Sequence, residues 1–204
     1  MNTTIAAIST AMSASGIGIV RISGEHSVDV IKKIYRSKNG KKQLDQVPSH
    51  TIHYGYIYDE EEMIDEVLVM VMRAPRTYTG EDTVEIDCHG GVCAMRRVLD
   101  TVLKHGAKTA EPGEFTKRAF LNGKLDLSQA EAVIDVINSK NEFALKSSMS
   151  QLKGSVKREI EKIRSSLIYH IAYIESALDD PEHISIDGNG EELKMTTTKA
   201  NETI

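Results

Sequence analysis

Tryptophan is absent from the sequence, and aromatic residues make up only 5% of it. A chain so poor in rings offers no platform on which nucleic-acid bases could stack. Cysteine occurs twice. That excludes a disulfide framework at this length and points to a reducing, cytoplasmic setting. No apolar run approaches the ~20 residues needed to cross a bilayer, so no membrane association is expected. The N-terminal MNTTIAAISTAM lacks the basic segment of a secretory leader. A basic excess is lacking too. Lys and Arg number 25 against 30 Asp and Glu, a net charge of −5. Any nucleic-acid contact must then be local or made by another component. The phosphate-binding patterns GxxxxGK[ST] and GxGxxG occur nowhere, and Gly123-Lys124 is followed by leucine. The chain by itself should neither bind nor hydrolyse nucleotides.

What is present is an ordinary globular composition, 40% hydrophobic and 27% charged over 204 residues, enough for one large domain or two small ones. Thr4 to Ser9 and Gly16 to Ser23 read as Ile-rich strands. His26 to Tyr35 places Val28, Ile31 and Ile34 on one side of a short amphipathic helix. Ser37 to Gln46 is a polar loop. Thr51 to Tyr58 and Ile64 to Arg73 read as strands joined by the charged turn at Asp59 to Glu62. Ala74 to Gly80 is a loop, and Thr83 to Asp87 a short strand. From Gly91 a helix is expected, with Val92, Met95, Leu99, Val102 and Leu103 on one face and Gly106 just past its end. This interleaving implies an α+β N-terminal domain, a mixed sheet with helices.

Beyond about residue 114 strand signals vanish, and an all-α segment with a long helix is expected. Ser128-x-x-Glu131 has the form of a capping box. Met149, Leu152, Val156, Ile160, Ile163, Leu167, Ile171, Ile174 and Leu178 step by three or four. That stripe predicts one helix of about 35 residues, roughly 50 Å long, with Gly154 as its weak point and Pro181 marking its end. Such a stripe cannot be buried alone and needs partner helices from this chain or from another. Asp179, Asp180, Glu182, His183 and Asp187 read as a solvated acidic loop, because their spacing is not that of an EF-hand. KMTTTKANETI shows little helix drive and no cap. The C-terminus therefore reads as a truncation within a larger protein. The expected division is 1–118 for the α+β domain and 119–204 for the first part of a helical domain.

Several segments carry candidate chemistry. Cys88, His89 and Cys93 lack the spacing and the second pair of a zinc cage, and no metal ligand or catalytic residue is assigned. Neighbouring residues of a strand point to opposite faces, so Cys88 and His89 should not meet. Gly90-Gly91 is expected to turn strand into helix through φ values open to glycine, with an anion site at the exposed helix amides as a functional extra. Both cysteines then read as packing residues. Arg21 lies within an otherwise apolar strand. It is either paired with a carboxylate or it points to water from an edge. Glu81, Asp82 and Glu85 form an acidic group beside Tyr78, by default solvated. Glu85 alternates with Val84 and Ile86, which puts it on the polar face of a strand, where it can accept N–H groups of an amino-substituted heterocycle. Phe115, Ala119 and Phe120 should pack a short helix ended by Gly123. Lys124 then lies in a turn before the next helix, a place where most lysines are simply solvated.

Taken together, GIGIVRISG, YTGEDTVEIDCHGG and PGEFTKRAFLNGKLDLSQAEAVIDVI, in this order and spacing, closely resemble the tRNA modification GTPase family called MnmE or TrmE. The resemblance implies an N-terminal domain with an aminomethyltransferase-type folate fold, which forms a homodimer and binds a tetrahydrofolate derivative, 5-formyl- or methylene-tetrahydrofolate. It implies a helical domain interrupted by a GTPase domain that this chain lacks. The whole protein would use GTP, potassium and magnesium. With a flavoprotein of the MnmG (GidA) family it would add an aminomethyl or carboxymethylaminomethyl group to carbon 5 of the tRNA wobble uridine, and tRNA would be met through that complex. The family's folate contacts fall on Arg21, Glu85 and Lys124. Glu85 would accept from the pterin's amino-pyrimidine edge, while Arg21 and Lys124 would meet carboxylate or carbonyl oxygens. Two other classes stand beside this one: a stand-alone folate-binding one-carbon-transfer module, and a purely structural dimerisation module.

Overall fold

The computed structural model describes residues 3–40, 42–183 and 189–203. The chain divides into two compact units, Met1–Leu125 and Asp126–Ile204. The first contains strands β1 (Ile5–Ile8), β2 (Ile17–Ser23), β3 (Tyr35–Ser37), β4 (Thr51–Asp59), β5 (Glu62–Met72), β6 (Thr83–His89) and β7 (Lys108–Thr109). It also contains helices α1 (Ser27–Ile34), α2 (Val92–Lys104) and α3 (Glu114–Leu121). The strands form one sheet in the order β3-β4-β5-β6-β2-β1-β7. All its pairs are antiparallel except β1 with β7. The α+β expectation holds.

Period-two alternation gives the sheet two different faces. Val20 of β2 lies opposite Ile86 of β6, which lies opposite Val69 of β5; Ile22, Val84 and Val71 form the next such row. All six are buried, in one core with Val28, Ile31 and Ile34 of α1 and Met95, Val98 and Val102 of α2. Burying each such side chain contributes on the order of 1.5–3 kcal/mol, so this helix-covered face supplies most of the unit's stability. The alternate residues run in their own rows across the other face: Ile52, Met70, Glu85 and Arg21 in one, Tyr54, Leu68, Asp87 and Ile19 in the next. On that face Ile17, Ile52, Tyr54 and Leu68 are exposed.

Three sequence expectations about the first unit change. Val98, absent from the expected α2 face, is fully buried, while Phe120, expected to pack α3, is exposed. Gly90 and Gly91 do not use left-handed backbone; Gly91 sits at φ −72°, and neither has positive φ. Gly90 is required for close approach instead. Ser15 lies against its Cα, where a Cβ would collide, and the Ser15 amide donates to the Gly90 carbonyl at 3.2 Å.

The second unit contains α4 (Leu127–Asn138), α5 (Glu142–Leu152), α6 (Ser155–Asp179) and α7 (Asn189–Thr203). The capping box is formed by Asp126 and Gln129, not by Ser128 and Glu131. The Asp126 carboxylate accepts from the Gln129 amide at 2.9 Å, and the Gln129 side chain accepts from the Asp126 amide at 2.9 Å. Ser128 lies inside the first turn, where its hydroxyl donates to Asp126. The expected single long helix is two. Gly154 adopts φ +76°, ψ 32°, a left-handed conformation that ends α5 and starts α6. The break is held from α4, whose Gln129 side-chain amide donates to the Leu152 carbonyl at 2.8 Å. A carbonyl left without a helical partner is thereby satisfied.

The apolar stripe of α6 is largely uncovered: Val156, Ile160, Ile171 and Leu178 are 41%, 52%, 56% and 68% exposed. The tail, expected to be non-helical, forms α7. His170 of α6, buried, is hydrogen-bonded through Nδ1 to Asn189 Oδ1 at 2.7 Å. Its Nε2 reaches the Thr196 hydroxyl at 3.4 Å. Tertiary contact here overrides weak intrinsic propensity. Of the acidic loop, Asp179, Asp180, Glu182 and His183 are exposed, and Asp187 lies outside the described residues. Among the described residues no helix is long and apolar enough to cross a membrane.

Candidate functional site

Arg21 and Glu85 face each other across β2 and β6 on the side of the sheet away from α1 and α2. Because β2 lies between β6 and β1, the edge-strand alternative for Arg21 is overturned. Arg21 Nε donates to Glu85 Oε1 at 2.7 Å. The guanidinium carbon lies 5.7 Å from the Tyr78 ring centroid and 5.5 Å from that of Phe115, within cation–π range. Among the described residues, the remaining guanidinium N–H groups and the second Glu85 oxygen have no partner. An end-on pair of this kind leaves a donor fork and an acceptor oxygen side by side.

Tyr78 comes from the β5–β6 loop and Phe115 from α3. Tyr78 and Thr116 are hydrogen-bonded through their hydroxyls at 2.9 Å. Lys124 follows α3, and its Nζ donates to the Pro75 carbonyl at 3.1 Å while its stem lies over Gly80. The Asn122 side-chain amide donates to the Thr79 carbonyl at 2.7 Å. Lys124 is thus joined to the loop that delivers Tyr78. Among the described residues no hydrogen bond links it to Arg21 or Glu85. Arg21 and Glu85 are brought together directly, and Lys124 through the loop.

The acidic group at 81–85 is not a solvated cluster, because each carboxylate has its own arginine. Asp82 accepts from Arg73 Nη1 at 3.0 Å and from the Ala74 amide at 2.8 Å. Glu85 takes Arg21. Glu81 takes Arg118, a residue that sequence reasoning missed although it is almost wholly buried. Arg118 also donates to Glu114, four residues earlier on α3. That i,i+4 spacing was the available signal, but such pairs are common on solvated helices. Burial pushes the Glu114 carboxyl up, yet the Glu111 amide and the Arg118 guanidinium outweigh it and hold the group below its ordinary value.

In EIDCHGGVC the expected separation of Cys88 and His89 is observed. Cys88 is buried, its thiol donates to the Gly18 carbonyl at 3.3 Å, and burial pushes it up to about 11. It is a protonated packing residue at neutral pH. Cys93, expected to pack, is exposed. His89 turns to the other face, where Nδ1 is hydrogen-bonded to Asp65 Oδ1 at 2.6 Å and its amide donates to Asp65 Oδ2 at 2.8 Å. That bond raises the imidazole above its ordinary value. Beside it an open cavity of about 410 Å³ is lined by Ile17, Tyr54, Leu68, Asp87 and His89. Burial, then the Glu85 charge, raise the Asp87 carboxyl. Among the described residues no group of three or more His, Cys, Asp or Glu side chains is placed to hold a metal ion.

Two family models match the chain. That of the GTP-binding protein TrmE N-terminus covers residues 4–124 and that of the MnmE helical domain residues 127–204. Proteins named tRNA modification GTPase MnmE are similar over nearly the whole chain. The one from Lachnoclostridium phytofermentans is 62% identical over 191 residues, 94% of this chain and 42% of that protein. Those from Carboxydothermus hydrogenoformans and Geobacillus thermodenitrificans are 52% and 50% identical over 185 and 186 residues, in each case 90% of this chain and 40% of that protein. The chain therefore spans about two fifths of the length of these curated relatives. With matched residues running from the first strand through the last helix, the chain belongs to the MnmE (TrmE) family, corresponding to its N-terminal and helical domains.

Proposed function

We propose that the first unit binds a tetrahydrofolate derivative at Arg21, Glu85 and Lys124. The observation that carries this is the Arg21–Glu85 pair: one side-chain hydrogen bond joins them, and among the described residues their other side-chain polar atoms have no hydrogen-bond partner. The donor set fits the group. A carboxylate oxygen suits the adjacent N–H donors of an amino-pyrimidine, and a guanidinium and an ammonium suit carbonyl and carboxylate oxygens. Tyr78 and Phe115 add apolar ring surface beside them. When bound, the folate supplies the one-carbon unit. The chain's own residues bind and orient it.

The same unit forms a homodimer. Ile17, Ile52, Tyr54 and Leu68, exposed on the open sheet face, support this, because a face of that kind is apolar enough to be covered by a second copy. In the whole protein these two properties serve a cytoplasmic GTPase that uses GTP, potassium and magnesium. With an MnmG-family flavoprotein it adds an aminomethyl or carboxymethylaminomethyl group to carbon 5 of the tRNA wobble uridine. The relatives, named tRNA modification GTPase MnmE, support tRNA modification. This chain, without a P-loop, contributes folate binding and assembly and no GTP hydrolysis. Calorimetric titration with 5-formyltetrahydrofolate, together with light scattering, tests both points. Saturable binding by a dimer is expected, weakened at least tenfold by Glu85→Ala, the loss of about 1.4 kcal/mol. A monomer that binds no folate overturns the reading. Undiminished binding by Glu85→Ala overturns the role of that residue.

A further inference from the structure

Arg118 is 2% exposed, and its guanidinium serves two carboxylates. Nη1 donates to both oxygens of Glu81 at 3.2 and 3.1 Å, while Nε and Nη2 donate to Glu114 Oε1 at 3.2 and 2.9 Å. Glu114 Oε2 accepts from the Glu111 amide at 2.8 Å. Glu81 Oε2 also accepts from the Ser23 hydroxyl at 2.9 Å, and that hydroxyl is hydrogen-bonded to Thr79 at 2.7 Å.

Each partner belongs to a segment that supplies one part of the Arg21 surroundings. Ser23 ends β2, which carries Arg21. Glu81 lies in the loop that carries Tyr78. Glu114 and Arg118 lie on α3, which carries Phe115. A buried ion set is weak evidence for stability, since apolar replacements are often neutral or stabilising. What apolar packing does not reproduce is direction: a planar guanidinium fixes the two carboxylates, and the segments that bear them, at set angles.

We propose that Arg118 is a positioning residue for ligand binding at Arg21 and Glu85. It clamps the 75–82 loop to α3, so that Tyr78 and Phe115 hold the Arg21 guanidinium with its free N–H groups turned to the ligand. The Tyr78–Thr116 and Asn122–Thr79 hydrogen bonds are outer ties of the same seam. The ligand class is a reduced pterin conjugate, and the inference rests on the folate reading above.

The test is calorimetric titration of the 204-residue chain with 5-formyltetrahydrofolate, with circular dichroism and thermal melts as controls for folding. Arg118→Met is expected to weaken binding on the order of tenfold, the scale of one lost cation–π arrangement at a partly screened site. Arg118→Lys should not restore it, because an ammonium lacks the fork. In a Tyr78→Ala background Arg118→Met should weaken binding by less than about twofold, since strongly coupled sites are non-additive. Thr116→Val, which cuts only the outer tie, should weaken binding about threefold if the loop position matters. Where Arg118→Met does not fold, an unchanged Kd for Thr116→Val overturns the proposal. In folded variants, additive effects of Arg118→Met and Tyr78→Ala, or an Arg118→Met that binds like wild type, overturn it while leaving the folate reading intact. Wild-type chain that binds no folate overturns both.

Discussion

Arg21 on β2 and Glu85 on β6 stand directly opposite each other, with the Arg21 Nε donating to Glu85 Oε1 at 2.7 Å. Their side chains are 27% and 16% exposed, so water screens the pair in part. They share a row with Met70 and Ile52 on the face of the sheet that α1 and α2 leave uncovered.

A cross-strand ion pair of this exposure contributes only about 0.2–1 kcal/mol to stability. A double-mutant cycle of Arg21→Ala and Glu85→Ala, read by urea denaturation, should therefore give a coupling energy below about 1 kcal/mol. Either single variant should depress folate affinity far more than it depresses stability. A larger coupling in stability would assign the pair to the fold rather than to a ligand.

The His89–Asp65 bond makes a pH prediction. The folded imidazole pKa is raised, so the contribution of this pair to stability is complete below the unfolded value near 6.5. It is lost as pH rises through the higher folded value. Histidine NMR titration should show His89 above its ordinary value, and Asp65→Asn should bring it down. A His89 resonance that titrates at about 6.5 or lower in the wild-type chain contradicts the assignment.

The two cysteines should differ in reactivity. Cys88 is buried, with its thiol pushed up to about 11, whereas Cys93 is exposed on α2. Iodoacetamide at neutral pH should alkylate Cys93 in the native chain and reach Cys88 only on unfolding. Mass spectrometry of the modified peptides reads this directly, and native labelling of Cys88 at the rate of Cys93 would refute it.

Gly154→Ala should destabilise the helical unit by about 1 kcal/mol, because an L side chain is strained at the left-handed angles found there. Space is not the reason: a Cβ would meet only the Gln129 side chain, at an ordinary 3.5 Å. Chemical denaturation measures the loss. Unchanged stability with added helical signal in circular dichroism would mean that α5 and α6 can join into the single helix the stripe implies.

Most elements of the first unit were legible because their signals are local. Alternating apolar residues mark β4, β5 and β6, and Gly106 closes α2 where the sequence places it. The apolar period of α6 was legible too, but its interruption was not. A glycine within a periodic run is compatible with a continuous helix, and the Gln129 side chain that holds the break comes from another helix. The tail was misread for the same reason, since α7 depends on His170 meeting Asn189 and Thr196.

By itself the sequence determined the fold class, the place of Glu85 on the polar face of a strand and, through its motifs, the family. Those properties depend on side-chain period and turn chemistry, which act between near neighbours. The tertiary structure decided which charges pair. It put Arg21 on an internal strand against Glu85, gave Asp82 and Glu81 arginines of their own, and buried Arg118 between segments far apart in the chain. Pairing energies fall with distance and grow as burial removes screening water, so they are fixed only when the fold has brought the partners together.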